Sequence, residues 1–284
     1  VRLSYANIYN NTMSICDYLD INDNDVAITT LPMSYSYGIS IINTHLFSGS
    51  GLVMTDRSFM EKKIWEMINQ YKVTTFGGVP YTYEILKKLK FDKMLLPKIK
   101  YITQAGGRLN KDLLEYFIAS TSKSNIQFYI MYGQTEASPR MSYLPPKMIN
   151  SKLGSIGIPI PGGEFLLVDE KENIITQPNI DGELIYKGKN VCMGYARNCY
   201  DLEHGNLNKG VLRTGDIAKF DPDGYFYITG RKKRFLKIFG HRISLDQVEL
   251  MLNEAGYECV CAGSDNKMKI YMPTFRRVDN QITF

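Results

Sequence analysis

The chain has 284 residues, 44% of them hydrophobic and 22% charged, which is a globular composition with enough length for two domains or subdomains. Its formal net charge of +5, with both signs interspersed, argues against a dedicated nucleic-acid surface but tolerates an anionic substrate. No apolar stretch approaches the roughly 18 residues of a membrane span, no charged-then-apolar leader opens the sequence, and the five cysteines form no CxxC pair, so a reducing, cytoplasmic setting is expected.

From about residue 58 to 131 the pattern alternates helix and strand. "SFMEKKIWEMINQYK" offers Ser58 as an N-cap and apolar residues at helical spacing (Ile64, Met67, Ile68, Tyr71), and the strand-like "VTTF" follows it. "YTYEILKKL" reads as helix, "IKYIT" as strand, "NKDLLEYFIAS" as helix behind an Asn110 cap, and "IQFYIM" as a buried strand. Such alternation predicts a parallel sheet with crossover helices. After residue 150 short strands separated by Gly, Pro, Asn and Asp ("GGEFLLVDEKENII", "DGELIYKG", "GVLRTGDIAKF", "GYFYITG") predict an antiparallel sheet or small barrel, with Asp223 and Gly224 in a hairpin turn. From about Lys233 a further unit begins, with "SLDQVELMLNEAG" as a capped helix ending at Gly256.

Four polar clusters stand where this pattern breaks: "AGGRL" (105–109), "YGQTE" (132–136), "RTGD" (213–216) and "GR" (230–231). Each alone also fits a structural role, as turn glycines, a capping carboxylate or a solvated strand-end charge. A bound nucleotide accounts for all four. Gly106 and Gly107 let the backbone approach a flat group, Thr135 donates to a phosphate oxygen, and Glu136 is a hard oxygen ligand for magnesium. Asp216 accepts from ribose hydroxyls and Arg231 complements sugar or phosphate.

The order of motifs resembles the adenylate-forming superfamily of acyl- and aryl-CoA synthetases, peptide-synthetase adenylation domains and firefly-type luciferases. Nine segments carry the resemblance: "LPMSYSYG", "GGVPYTYEIL", "AGGRL", "YGQTE", "GIPIPGGEFLLVD", "GELIYKGKNVCMGY", "RTGD", "DGYFYITGR" and "LKIFGHRISLDQVE". The resemblance implies an α/β fold: a parallel α/β subdomain of the AMP-binding domain over 1–150, a β-barrel-like antiparallel subdomain over 151–231, and a hinge with the start of a C-terminal α+β domain over 232–284. It implies that Tyr132 stacks on adenine beside Gly133, that Thr135 contacts the α-phosphate region, and that Glu136 binds magnesium. By the same resemblance Asp216 and Arg231 hold the ribose, and Gly106, Gly107 and Arg108 line the adenine and acyl pocket. Lys233 falls at the hinge, and the segment around Gly240 at the pantetheine channel. The implied reaction is ATP-dependent formation of an acyl-adenylate, then transfer to coenzyme A or to the phosphopantetheine of an acyl-carrier protein.

The sequence also departs from the family pattern. A Ser/Thr/Gly-rich phosphate loop would lie before Val1, "SGSGLVM" lacks its lysine and is read as a turn between two sheet elements, and the C-terminal adenylation lysine is missing. An internal fragment of a synthetase, impaired by itself, is therefore expected; a non-catalytic adenylate-binding remnant is the alternative. Tyr35 stands where the family often has His, at the edge of the acyl pocket near Gly38. Met33, Ser34, Tyr35 and Ser36 offer no carboxylate for a substrate ammonium, so a fatty or aromatic acid is preferred over the amino acid of an adenylation domain that loads a carrier protein. His45, His204 and His241 are too scattered for a metal site, and no G-x-G-x-x-G supports a dinucleotide.

Overall fold

Runs rich in β-branched and aromatic residues supply β1 (Val26–Ile28), β2 (Gly51–Val53), β3 (Thr75–Gly78), β4 (Tyr101–Gln104) and β5 (Gln127–Gly133). The computed structural model describes residues 1–238, 241–264 and 267–273. Around these strands stand α1 (Tyr5–Leu19), α2 (Ser36–Phe47), α3 (Lys62–Gln70), α4 (Pro80–Lys88) and α5 (Lys111–Lys123). With β6 (Arg140–Leu144) and β7 (Ile158–Pro159) the strands form a seven-stranded sheet in the order β2-β1-β3-β4-β5-β6-β7. Pairing is parallel from β2 to β5 and antiparallel from β5 to β7.

Helices cover both faces of this sheet, and that is why its strands read as continuous apolar runs. Successive side chains alternate between two cores: Ile102 and Phe128 join Phe76, Tyr83 and Phe117 on one side, while Tyr101 and Tyr129 join Ile15, Tyr37 and Ile41 on the other. Each fully buried large apolar side chain here contributes about 1.5–3 kcal/mol.

Asn110 caps α5 as expected, its Oδ1 accepting from Leu113 N at 2.8 Å. Ser58 does not cap α3. The regular helix starts four residues later, behind Glu61; the Glu61 carboxylate turns back to accept from Ser58 N at 2.9 Å. Ile64 and Ile68 are buried, whereas Tyr71 is exposed. The "SGSG" stretch turns from α2 into β2 rather than between two sheet elements, with Gly49 in the left-handed region at φ +68°.

The second unit is a four-stranded antiparallel sheet of β8 (Gly163–Val168), β9 (Gly182–Gly188), β10 (Val211–Phe220) and β11 (Phe226–Arg231), in the order β11-β10-β9-β8. Of the two forms expected, this is the open sheet: its end strands pair with inner neighbours and not with each other. The hairpin joining β10 to β11 turns as read, with Gly224 at φ +82° and its N–H on the Asp221 carbonyl at 2.9 Å.

Beyond it, β12 (Phe235–Ile238) pairs with β13 (His241–Ser244), α6 (Leu245–Glu254) follows, and β14 (Val260–Ser264) pairs with β15 (Lys267–Tyr271). Leu236, Leu245, Cys259 and Cys261 form its core. Ser244 caps α6, accepting from Gln247 N at 3.3 Å. Gly240 lies outside the described residues. Among the described residues no helix is long and apolar enough to cross a membrane.

Candidate functional site

The parallel strands β3, β4 and β5 end on the same side of the sheet, and the sequence clusters sit at those ends. β5 gives way at Gly133 to a return strand, so that Gly133 stands opposite Arg140 in β6. A Cβ at Gly133 would lie 1.9 Å from the Pro139 carbonyl oxygen, so the close crossing of the two strands demands glycine. Thr135–Ala137 then make a single 3₁₀ turn that lifts the next side chains off the sheet edge.

Asp216 gathers the first group of side chains. The register of β10 against β9 shifts between Arg213 and Ile217, a bulge of the kind that re-aims a side chain beside a site. Asp216 is 2% exposed; its Oδ2 accepts from Tyr132 Oη at 2.5 Å and Gln134 Nε2 at 3.1 Å. Its Oδ1 pairs with Arg231 Nε at 3.0 Å, the two residues being cross-strand partners. Burial, then the adjacent Asp216 charge, pushes the Tyr132 phenol well above its ordinary pKa, so it stays a donor.

The second group lies one turn further on. Thr135 Oγ1 and Ser36 Oγ are 2.9 Å apart, which ties the turn after β5 to the start of α2. Glu136 Oε1 accepts from Tyr195 Oη at 2.6 Å, and that hydrogen bond, with burial, pushes the Tyr195 phenol up to about 12. The Glu136 carbonyl accepts from Cys192 N at 2.8 Å, fixing the turn to the loop after β9.

Gly106 and Gly107 form the third wall. Gly106 has φ +80°, and a Cβ there would stand 2.7 Å from Tyr35 Oη and 3.1 Å from Val79 Cγ1. Gln104 Nε2 holds this loop by donating to the Gly107 carbonyl at 2.7 Å. Gly38 is buried, and its missing side chain is required by the Pro32 carbonyl, which a Cβ would approach to 2.2 Å.

Tyr35, Gly106, Tyr132, Gly133, Thr135, Glu136, Asp216 and Arg231 thus belong to linked contacts at one end of the sheet. Arg108 and Lys233 stand apart: both are exposed, Arg108 beside Gly154 and Lys233 between two paired neighbours, Lys232 with Glu183 and Arg234 with Asp246. Sequence reasoning gave no role to Gln134, Ser36 or Tyr195, although each lay inside a quoted motif. A larger hollow of about 560 Å³, lined in part by Asp25, Lys100 and Tyr129, opens at the opposite end of the sheet and contains none of these residues. The charged side chains meet instead at the strand ends, where Asp216 pairs with Arg231 and Glu136 accepts from Tyr195.

Among known proteins, the family model described as AMP-binding enzyme matches residues 1–196. An oxalate–CoA ligase of Arabidopsis thaliana is 27% identical over 257 residues, which are 89% of this chain and 49% of that protein. A 2-succinylbenzoate–CoA ligase of a Geobacillus strain is 27% identical over 269 residues, 94% of this chain and 53% of that protein. The chain therefore spans about half the length of the relatives it matches. The fold is similar to o-succinylbenzoate CoA synthetase from Bacillus subtilis, solved in complex with its acyl-adenylate intermediate, at a TM-score of 0.81 and 23% identity over 96% of this chain and 57% of that one.

Proposed function

The chain belongs to the AMP-binding enzyme family, and from that premise we propose that it serves the ATP-dependent activation of a carboxylic acid and its transfer to the thiol of coenzyme A. The observation that carries the proposal is the Tyr132–Gln134–Asp216–Arg231 cluster, packed beside Thr135 and Glu136 at the ends of the parallel strands. The names of the relatives, ligases joining oxalate or 2-succinylbenzoate to coenzyme A, support the reaction class.

The residues fit the groups such a reaction needs. Gly106 and Gly107 leave a cradle that a Cβ would fill, suited to a flat base or an acyl group against the backbone. Asp216 is a buried carboxylate already ordered by three donors, so it meets ribose hydroxyls without reorganising. Arg231, exposed and anchored at one nitrogen, keeps other donors of its fork for sugar or phosphate. Tyr132, half-buried beside Gly133, is assigned to the adenine face. Glu136 is a hard oxygen donor suited to magnesium, held by one hydrogen bond from Tyr195. Magnesium there would offset phosphate charge.

In this reading a carboxylate oxygen attacks the α-phosphorus, pyrophosphate departs, and the thiol later displaces AMP from the carbonyl carbon. Two anions must meet, so this chain contributes placement and fixed dipoles rather than a nucleophile. Thr135, steadied by Ser36, donates toward the α-phosphate. Tyr35 borders the acid at Gly106. The acid lacks an α-ammonium and is aliphatic or aromatic, because 33–36 supply no carboxylate. We assign the working units to 1–150, 151–231 and 232–284, with Lys233 at the hinge between the last two.

Calorimetric titration with AMP tests the nucleotide site. Asp216→Asn should weaken AMP about tenfold or more while the far-UV spectrum is unchanged. Equal affinity in a folded variant would remove Asp216 from the site.

A further inference from the structure

Arg2 is 7% exposed and forms no ion pair among the described residues; its donors go to backbone instead. Nε donates to the Tyr195 carbonyl at 3.3 Å, Nη2 to those of Met193 at 3.1 Å and Gly205 at 3.2 Å, and Nη1 to that of His204. All of these acceptors belong to the loop that follows β9. The backbone of Arg2 adds two more bonds to it, from Arg2 N to the Gly194 carbonyl at 2.8 Å and from Met193 N to the Arg2 carbonyl at 2.9 Å. Gly194, at φ +127°, lets the loop pass the guanidinium, since a Cβ there would lie 3.1 Å from Nη2. A buried arginine whose fork is filled by the carbonyls of one loop fixes the course of that loop.

One side chain of the loop reaches the candidate site. Tyr195 is 59% exposed, so burial does not hold its ring, yet its Oη donates to Glu136 Oε1 at 2.6 Å. The root of the loop is tied to the same 3₁₀ turn, with Cys192 N on the Glu136 carbonyl at 2.8 Å and Asn208 Nδ2 on the Cys192 carbonyl at 3.0 Å. Glu136 Oε2 accepts no hydrogen bond among the described residues. One carboxylate oxygen is therefore held and the other is left to a ligand. A glutamate on a three-residue turn would otherwise sample several rotamers, and ordering it only when a ligand arrives weakens binding.

We propose that Tyr195 is a positioning residue for the Glu136 carboxylate, and that Arg2 holds it in place through the loop 193–205. The phenol fixes Oε1 and leaves Oε2 to the divalent cation; Arg2 sets where the phenol stands. Both act through the carboxylate, and removing either loosens it. The proposal deepens the acid-activation reading and rests on its assignment of magnesium to Glu136.

The test is titration calorimetry of the full chain with ATP, once in magnesium and once in chelator, so that the ratio of the two affinities reads the contribution of the metal. Tyr195→Phe keeps the ring and removes the donor; it should cut that ratio about tenfold, and so should Arg2→Met. In a Glu136→Ala background the Tyr195→Phe change should add nothing, because the group it positions is gone. AMP titrated in chelator reads the nucleotide site apart from the metal. An unchanged ratio in Tyr195→Phe, where Glu136→Ala lowers it, overturns the proposal and leaves magnesium at Glu136. A Tyr195→Phe loss that persists in the Glu136→Ala background, or an equal fall in AMP affinity, overturns it as well. A folded Arg2→Met variant with the original ratio removes Arg2 from the proposal; if that variant does not fold, Tyr195→Phe, at an exposed position, carries the test. A ratio that Glu136→Ala leaves unchanged contradicts the magnesium assignment, and the proposal falls with it.

Discussion

Gly133 shows how little room the site leaves for side chains that contribute no chemistry. A methyl group there would meet the Pro139 carbonyl at 1.9 Å and the Arg140 Cα at 3.0 Å. Gly133→Ala should therefore cost about 3 kcal/mol or prevent folding, seen as a lowered denaturant midpoint; an unchanged midpoint would show that the strands can part. At this scale the residue types Thr135, Glu136, Asp216 and Arg231 were legible, because polar side chains interrupting buried strands ask for a ligand. Gln134 and Tyr195 were not, because their partners Asp216 and Glu136 lie 82 and 59 positions away in sequence. Arg140 was invisible for a similar reason: only the fold reveals that a charge in "SPRMSY" is buried with no carboxylate paired to it among the described residues.

The secondary elements were legible where apolar spacing and caps agreed. Asn110 precedes α5 and accepts from Leu113 N, and Asn110→Ala should cost about 1 kcal/mol, measurable as a small fall in melting temperature; no fall would mean that packing alone holds the helix. Ser58 misled because "SFME" has the spacing of a capping box, yet only the glutamate half forms, and the chain makes a turn before α3 starts. α1 escaped the reading for a different reason. Besides Ile15 and Leu19 it buries Asn7, Asn11 and Thr12, so its inner face is partly polar. Asn7 Nδ2 donates to the carbonyls of Lys189 and Val191, and Asn11 Nδ2 to that of Arg140, so the helix clamps the loop after β9 and the strand behind the site. Hydrogen bonds of this kind leave no hydrophobic periodicity to find.

Across the whole molecule the candidate site draws on two sheets. Tyr132, Thr135 and Glu136 come from the end of the parallel sheet, and Asp216 and Arg231 from the antiparallel one. The unit beyond residue 231 is tied to this junction by Lys232 on Glu183 at 2.7 Å and by Arg231 N on Asp246 at 2.9 Å. The motif order announced both sheets and their sequence, because the quoted segments keep the strand pattern of each; it named no substrate, since pocket shape depends on packing among side chains distant in sequence. The measurement that bears most directly on adenylation is carboxylate-dependent exchange of labelled pyrophosphate into ATP by the full-length protein. Exchange is predicted that requires both magnesium and an acid, and falls at least about tenfold in a folded Glu136→Ala variant. No exchange with any acid, from a folded protein that still binds AMP, would contradict it.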